Sequence, residues 1–332
     1  MVCLLSPKII HLETLKKTDL KEREVRLSVV ICTYNGAGTI IEQLESIKTQ
    51  TLAVDEVIIC DDRSSDDTVS VATDYIAREG LTDWNVYVNE ENLGYASNFF
   101  YAACRASGDY IFFCDQDDIW VPDRVEKMVQ QMDSNPEILV LGSEFEPFTV
   151  SDDALSVPAW ELATFKDDGS IERLDVNSKN IFIGCQGCTM CVRKAFWDSI
   201  VPYWFKDWAH HEFVWKLALV QKGLYFYHYK SLRRRVHAGN VSLGKMRDLS
   251  KRIRFLENLE KSHRATLQLV EDIDGPENYR KLLNKNIRAT RLRIELMRNK
   301  KLFYVFPLAI RYSSCYHKKR AIPVELYMAV KQ

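Results

Sequence analysis

The densest chemistry in the sequence is Asp115-Gln116-Asp117-Asp118, three carboxylates in four residues. They follow Tyr110-Ile111-Phe112-Phe113-Cys114, an apolar and aromatic run with the length of a buried strand. Unpaired carboxylates do not stay in a core, because burying a lone charge is too costly. The cluster is therefore expected at the carboxyl end of the strand, where open α/β sheets bind their ligands. Like charges this close need a counter-cation, and hard oxygen donors favour Mg²⁺ or Mn²⁺. Such an ion would neutralise a diphosphate at the same time. The plainer alternative is a solvated acidic turn, with Pro122 and Asp123 opening the next helix.

The elements that must position this cluster repeat in a regular order. Apolar strands are expected at 27–32, 57–60, 85–88 and 110–114. Helices follow at 39–50, where Ile40, Leu44 and Ile47 share one face, then from the Ser64–Thr68 capping sequence to about 78, and up to about 105. This alternation predicts right-handed βαβ units, a mostly parallel sheet and polar clusters gathered at the strand ends. Walker and G-x-G-x-x-G fingerprints are absent, which argues against a P-loop ATPase or a dinucleotide dehydrogenase.

Composition sets outer bounds. The chain has 332 residues, 46% hydrophobic and 27% charged, ordinary values for a water-soluble globular protein. No apolar run reaches the roughly 18–20 residues of a membrane span. Pro7, Lys8 and His11 interrupt the N-terminus, a poor secretory signal, and nine cysteines suggest free thiols in a reducing compartment, so a cytoplasmic location is expected. The net charge of −1 hides an asymmetry: residues 1–229 carry 20 basic and 37 acidic residues, residues 230–332 carry 25 and 9. The basic tail calls for an acidic partner, whether the body itself, an anionic membrane or a nucleic acid.

Five motifs in order resemble the inverting nucleotide-sugar glycosyltransferases of family 2, which have the GT-A fold. They are Ser28–Gly36 (SVVICTYNG), Ile59–Thr68 (ICDDRSSDDT), Asn92-Leu93-Gly94, Asp115–Trp120 (DQDDIW) and Arg235–Asn240 (RVHAGN). The resemblance covers about residues 26–243 and implies roles one by one. Tyr34, between Thr33 and Asn35, would pack on the nucleotide base, and Asp62 would read its imide N–H. Asn92 and Gly94 would approach the ribose and phosphates. Asp115, Gln116, Asp118 and Arg235 would surround the donor, with Asp117, Asp115 and His237 as metal ligands. The family places its general base in a His-Asp pair that opens a helix. Here that stretch reads His211-Glu212, so the base is Glu212, in place of Asp, or His211. The DQDDIW form resembles bacterial rhamnosyltransferase-like members, which implies dTDP-rhamnose as donor and a growing glycan or lipid-linked saccharide as acceptor.

The expected organisation is a lead-in (1–25), a GT-A catalytic domain (26–243, donor half to about 125) and a basic helical extension (244–332). The Cys185–Cys191 stretch is expected to be a strand with Cys188 on the face opposite Cys185 and Cys191, not a zinc knuckle. The aromatic run 302–310 with Lys318-Lys319-Arg320 suits a peripheral contact with anionic membrane, while no nucleic-acid motif occurs. Two rivals remain: a sugar nucleotidyltransferase, which lacks its glycine-rich loop here, and a non-catalytic nucleotide-sugar-binding scaffold, favoured by the non-standard His211-Glu212.

Overall fold

The computed structural model describes residues 25–150, 157, 159–237 and 248–331. The expected lead-in and the Ala238-Gly239-Asn240 end of the last motif lie outside the described residues. Strands β1 (Leu27–Thr33), β2 (Glu56–Asp61), β3 (Trp84–Val88) and β4 (Tyr110–Asp115) are parallel, in spatial order β3-β2-β1-β4. Helices α1 (Ile40–Lys48), α2 (Thr68–Glu79) and α3 (Tyr95–Arg105) connect them. Side chains alternate between two cores: Val30, Ile111 and Phe113 face one, and Val29, Ile31, Phe112 and Cys114 the other. Burial on both faces explains why these strands read as continuous apolar runs.

Each of β1, β2 and β4 runs one residue further than the apolar pattern, so Thr33, Asp61 and Asp115 are the last strand residues. Thr33 is in register with Asp61, and Cys32 with Asp115. Beyond β4 come β5 (Ile119–Trp120), α4 (Arg124–Ser134), β6 (Val140–Thr149), α5 (Ala159–Leu162) and β7 (Ile171–Arg173). Then follow β8 (Cys191–Arg193), α6 (Lys194–Ile200), α7 (His210–Val220) and the long β9 (Leu224–Val236). The sheet continues β4-β8-β6-β9-β5 with β7 also on β9; β5, β7 and β8 run against the other six strands.

Two expectations are corrected. Pro122 lies before the N-cap Asp123, outside α4, where it needs no N–H donor. The cysteine stretch is not one strand: Gly187–Thr189 forms a 3₁₀ turn, and only Cys191 enters β8.

The basic tail folds into α8 (Leu249–Asp272), α9 (Glu277–Arg298), α10 (Val305–Ile310) and α11 (Ala321–Val330). Leu269, Val270, Tyr279 and Leu283 enter the core of the sheet, and Leu256, Leu296, Met297 and Leu308 form a smaller core of their own. Several basic side chains are offset locally: Arg264 and Arg291 share Glu260, and Arg298 pairs with Glu257. No helix among the described residues is long and apolar enough to cross a membrane.

Glu325 locks α11 down. It is fully buried and receives hydrogen bonds from Arg252 (2.6 Å) and Arg293 (2.6 Å). Burial pushes its pKa up, but the two guanidiniums win and hold it below the ordinary value. Glu325→Ala would strand two cations around a cavity, and removing one partner of a buried ion pair costs about 3–5 kcal/mol. Urea titration followed by circular dichroism should show the midpoint fall accordingly.

Candidate functional site

The β1, β2 and β4 ends are stitched by their own polar residues. Asp61 is fully buried and accepts hydrogen bonds from Thr33 Oγ1 (2.7 Å), Ser64 N (2.7 Å) and Ser64 Oγ (2.6 Å). Thr33 is thus a buried strut, with 2% of its surface exposed. Asn35 adopts left-handed backbone (φ 51°), and its Oδ1 accepts Ser65 N at 2.8 Å. Gln116 reaches back to β1: its Oε1 accepts Tyr34 N (2.8 Å) and its Nε2 donates to Tyr34 O (3.1 Å). A Cβ on Gly36 would lie 2.3 Å from Gln116 Oε1, so only glycine lets this side chain pass. The Tyr34 ring itself is half exposed, at 51%.

Asp62 is a latch. It is 4% exposed, and its carboxylate accepts Leu93 N (2.7 Å), Gly94 N (2.8 Å) and Asn89 Nδ2 (2.9 Å), while Asn92 Nδ2 donates to its carbonyl (2.9 Å). The Asn92–Gly94 loop is thereby clamped over β2. Gly94, at φ 77° and ψ 152°, uses backbone that L side chains rarely adopt.

The acidic cluster divides in two. Asp117 Oδ2 meets His237 Nε2 at 2.7 Å. Donor atoms of Asp115, Asp118 and Cys188 lie within 4.8 Å of one another. The strand pairing β5–β9 sets Ile119 opposite Arg233, which brings the basic end of β9 beside the cluster. Arg235 donates from N to Asp118 Oδ1 (3.0 Å) and from Nε to Asp117 O (2.8 Å), and it also pairs with Glu42. Beneath lies Arg124, fully buried, bonded to Cys188 O at 2.6 Å and stacked 4.1 Å from the Trp120 ring. Neither Arg124 nor Cys188 was read from the sequence as part of this site. Arg124 stands in an ordinary helix start, and the turn at Cys188 looked like a strand.

Burial, then the neighbouring carboxylates, pushes Asp115 up to about 6 and Asp118 up to about 8. Asp118 Oδ2 is buried and finds no nitrogen or oxygen donor among the described residues. Uncompensated carboxylate oxygens of this kind fit a hard divalent cation, with the Cys188 thiol a softer neighbour.

The base candidates sit on α7. His210 is buried between Phe99 (ring centroids 4.0 Å) and Phe113 (4.6 Å), and burial holds it well below its ordinary pKa. Burial also lowers His211, against an opposing pull from Glu212. Glu212 Oε1 bonds Lys216 Nζ at 2.6 Å and accepts Ser262 Oγ at 3.2 Å. Lys216 is fully buried and touches His263 Nδ1 at 3.4 Å, so α8 helps to hold this carboxylate. The 3₁₀ turn links the two clusters. A Cβ on Gly187 would lie 2.5 Å from His210 Nε2 and 3.3 Å from His211 Cβ, while the next residue, Cys188, adjoins Asp115 and Asp118.

Because Asp115 and Asp118 are raised, their ionisation opposes folding. Their contribution is complete below the ordinary carboxylate range and is lost as pH rises through about 6 and about 8. A bound cation restores it. Mn²⁺ should therefore raise the melting temperature more at about pH 8 than at about pH 5, and Asp118→Asn should flatten that difference.

Comparison with known proteins agrees with this architecture. A match to glycosyl transferase family 2 spans residues 28–200, just over half of the chain. EpsE of Bacillus subtilis (strain 168), named as a glycosyltransferase, is 33% identical over 118 residues, 36% of this chain and 42% of EpsE. The glycosyltransferase RT0329 of Rickettsia typhi is 25% identical over 218 residues, 64% of each chain. The chain thus matches less than two thirds of the length of either relative. S. aureus TarS 1-349, solved with UDP-GlcNAc, superimposes with a TM-score of 0.62 at 17% identity, covering 92% of this chain and 90% of that one. The mannosyltransferase PcManGT of Pyrobaculum calidifontis, solved with GDP-Man and Mn²⁺, gives 0.53 at 16% identity over 92% and 86%. The nine-stranded sheet flanked by helices is the GT-A fold, and the chain belongs to glycosyl transferase family 2.

Proposed function

We propose that the protein transfers a sugar, with inversion, from a nucleoside diphosphate sugar to a saccharide acceptor carried on a growing or lipid-linked surface glycan. The observation that carries this reading is the gathering of Asp115, Asp117, Asp118 and His237 at strand ends, beside the half-exposed Tyr34 ring. Tyr34 offers a face for the base, and the Asn92–Gly94 loop, latched by Asp62, offers backbone to the ribose and phosphates. Asp117 with His237, and Asp115 with Asp118, would hold Mg²⁺ or Mn²⁺; when bound, the ion offsets the charge of the departing diphosphate. The first donor to test is dTDP-rhamnose, on the strength of the DQDDIW motif. UDP-GlcNAc and GDP-Man, present in the two structural neighbours, are the natural comparators.

Glu212 is proposed as the base that takes the acceptor proton. Lys216 on its Oε1 holds the carboxylate in place, leaving Oε2 for the acceptor hydroxyl. A specific observation favours His211 instead: burial keeps that ring neutral, and protonating Glu212 would leave the buried Lys216 without its counter-charge.

Donor turnover with Mn²⁺ across the three nucleotide sugars tests the reaction. One donor should be consumed, and Asp117→Ala and Glu212→Gln should each lower turnover by about a hundredfold or more. Failure of every donor to bind would overturn the reading. The pH profile of kcat/KM separates the two bases. With Glu212 as base, Glu212→Gln loses turnover across the whole profile. With His211 as base, Lys216→Met leaves the acidic limb in place and Glu212→Gln moves it to lower pH.

A further inference from the structure

We propose that the surface formed by residues 302–310 and α11 is a docking face for an anionic lipid bilayer. Segment 302–310 has two sides. Leu308 is fully buried, and Tyr312 just beyond is 5% exposed; both belong to the small core under α9. Phe303, Phe306 and Ile310, spaced three and four residues apart, point outward at 61%, 67% and 82% exposure. The adjoining α11 repeats the pattern, with Ala329 fully buried and Val324, Tyr327 and Val330 exposed at 49%, 60% and 61%. Large apolar side chains in two packed elements thus face solvent together, which a monomeric surface rarely allows.

Charge selects the occupant. Residues 300–331 contain seven lysines and arginines and one carboxylate, Glu325. That carboxylate is buried against Arg252 and Arg293, so the face presents cations and apolar groups without an exposed acid. Of the cations, Lys301 is paired with Glu295. Arg311 links the face to an open groove along α9 where Lys281, Lys285 and Arg288 outnumber the one carboxylate, Glu277. Aromatic and aliphatic side chains ringed by lysine and arginine fit the boundary between headgroups and acyl chains of a negatively charged leaflet. A second copy of the chain would set two such cationic faces against each other, a repulsive match. Exposed isoleucine and valine give a nucleic acid nothing to stack on.

Cosedimentation of the full chain with vesicles tests the proposal without donor or acceptor. The protein should sediment with phosphatidylglycerol-containing vesicles at low salt, not with pure phosphatidylcholine, and release as salt is raised. Phe303→Ser/Phe306→Ser/Ile310→Ser should lower the bound fraction about tenfold or more, with an unchanged thermal melt because all three side chains already face water. Lys319→Glu/Arg320→Glu should lower it as well, by the electrostatic route. Absence of binding to the anionic vesicles, or equal binding by the triple variant, would overturn the proposal. So would a dimer that the triple variant abolishes while vesicles are ignored, since the face would then belong to a second copy.

Discussion

The structure turns on the repulsion among Asp115, Asp117 and Asp118 at the end of a buried strand. Burial, and then the neighbouring carboxylates, raise the pKa of Asp115 and Asp118, and the surrounding fold is arranged to limit the cost. Arg124 lies beneath them and the Arg233–Arg235 run of β9 arrives beside them, carried there because β9 pairs with β5. His237 follows directly, on Asp117. The added strand β9, held by its pairing with β5, therefore delivers positive charge to an edge that the first four strands leave strongly negative.

The ends of β1, β2 and β4 are held by side-chain-to-backbone hydrogen bonds rather than by apolar packing. Asp61, Asp62, Asn35 and Gln116 each bind the backbone of a neighbouring loop, so the strand-end loops form one network. This arrangement makes short loops rigid without hydrophobic burial. It also reassigns some conspicuous residues: Thr33 and Asp61 brace the loops, while the exposed ring of Tyr34 faces outward.

How far the sequence could be read follows from which forces were local. The four parallel strands and their helices were legible because burial on both faces leaves unbroken apolar runs between turn residues. The acidic motif was legible because charge at a strand end has few benign readings. Arg124 was not, since nothing in a helix start announces that its guanidinium will be buried under Trp120. Cys188 was misread for a related reason: nothing in its neighbours announces the 3₁₀ turn at Gly187–Thr189, which sits against His210 on a distant helix. The Lys216–Ser262–Glu212 contact joins residues about fifty positions apart, and no local pattern encodes it. In the tail, the basic residues were plain in the sequence, but their partial neutralisation by Glu257 and Glu260 was not.

The Gly187–Cys188 peptide has a consequence for how such an enzyme can change. Two consecutive α-carbons, about 3.8 Å apart, serve the wall behind the histidines and the floor beside the acidic cluster. The peptide between them is a rigid plane, so a side chain at Gly187 large enough to displace that plane would also move Cys188. A bulkier residue at Gly187 is therefore a change to the histidine cluster and the acidic cluster at once.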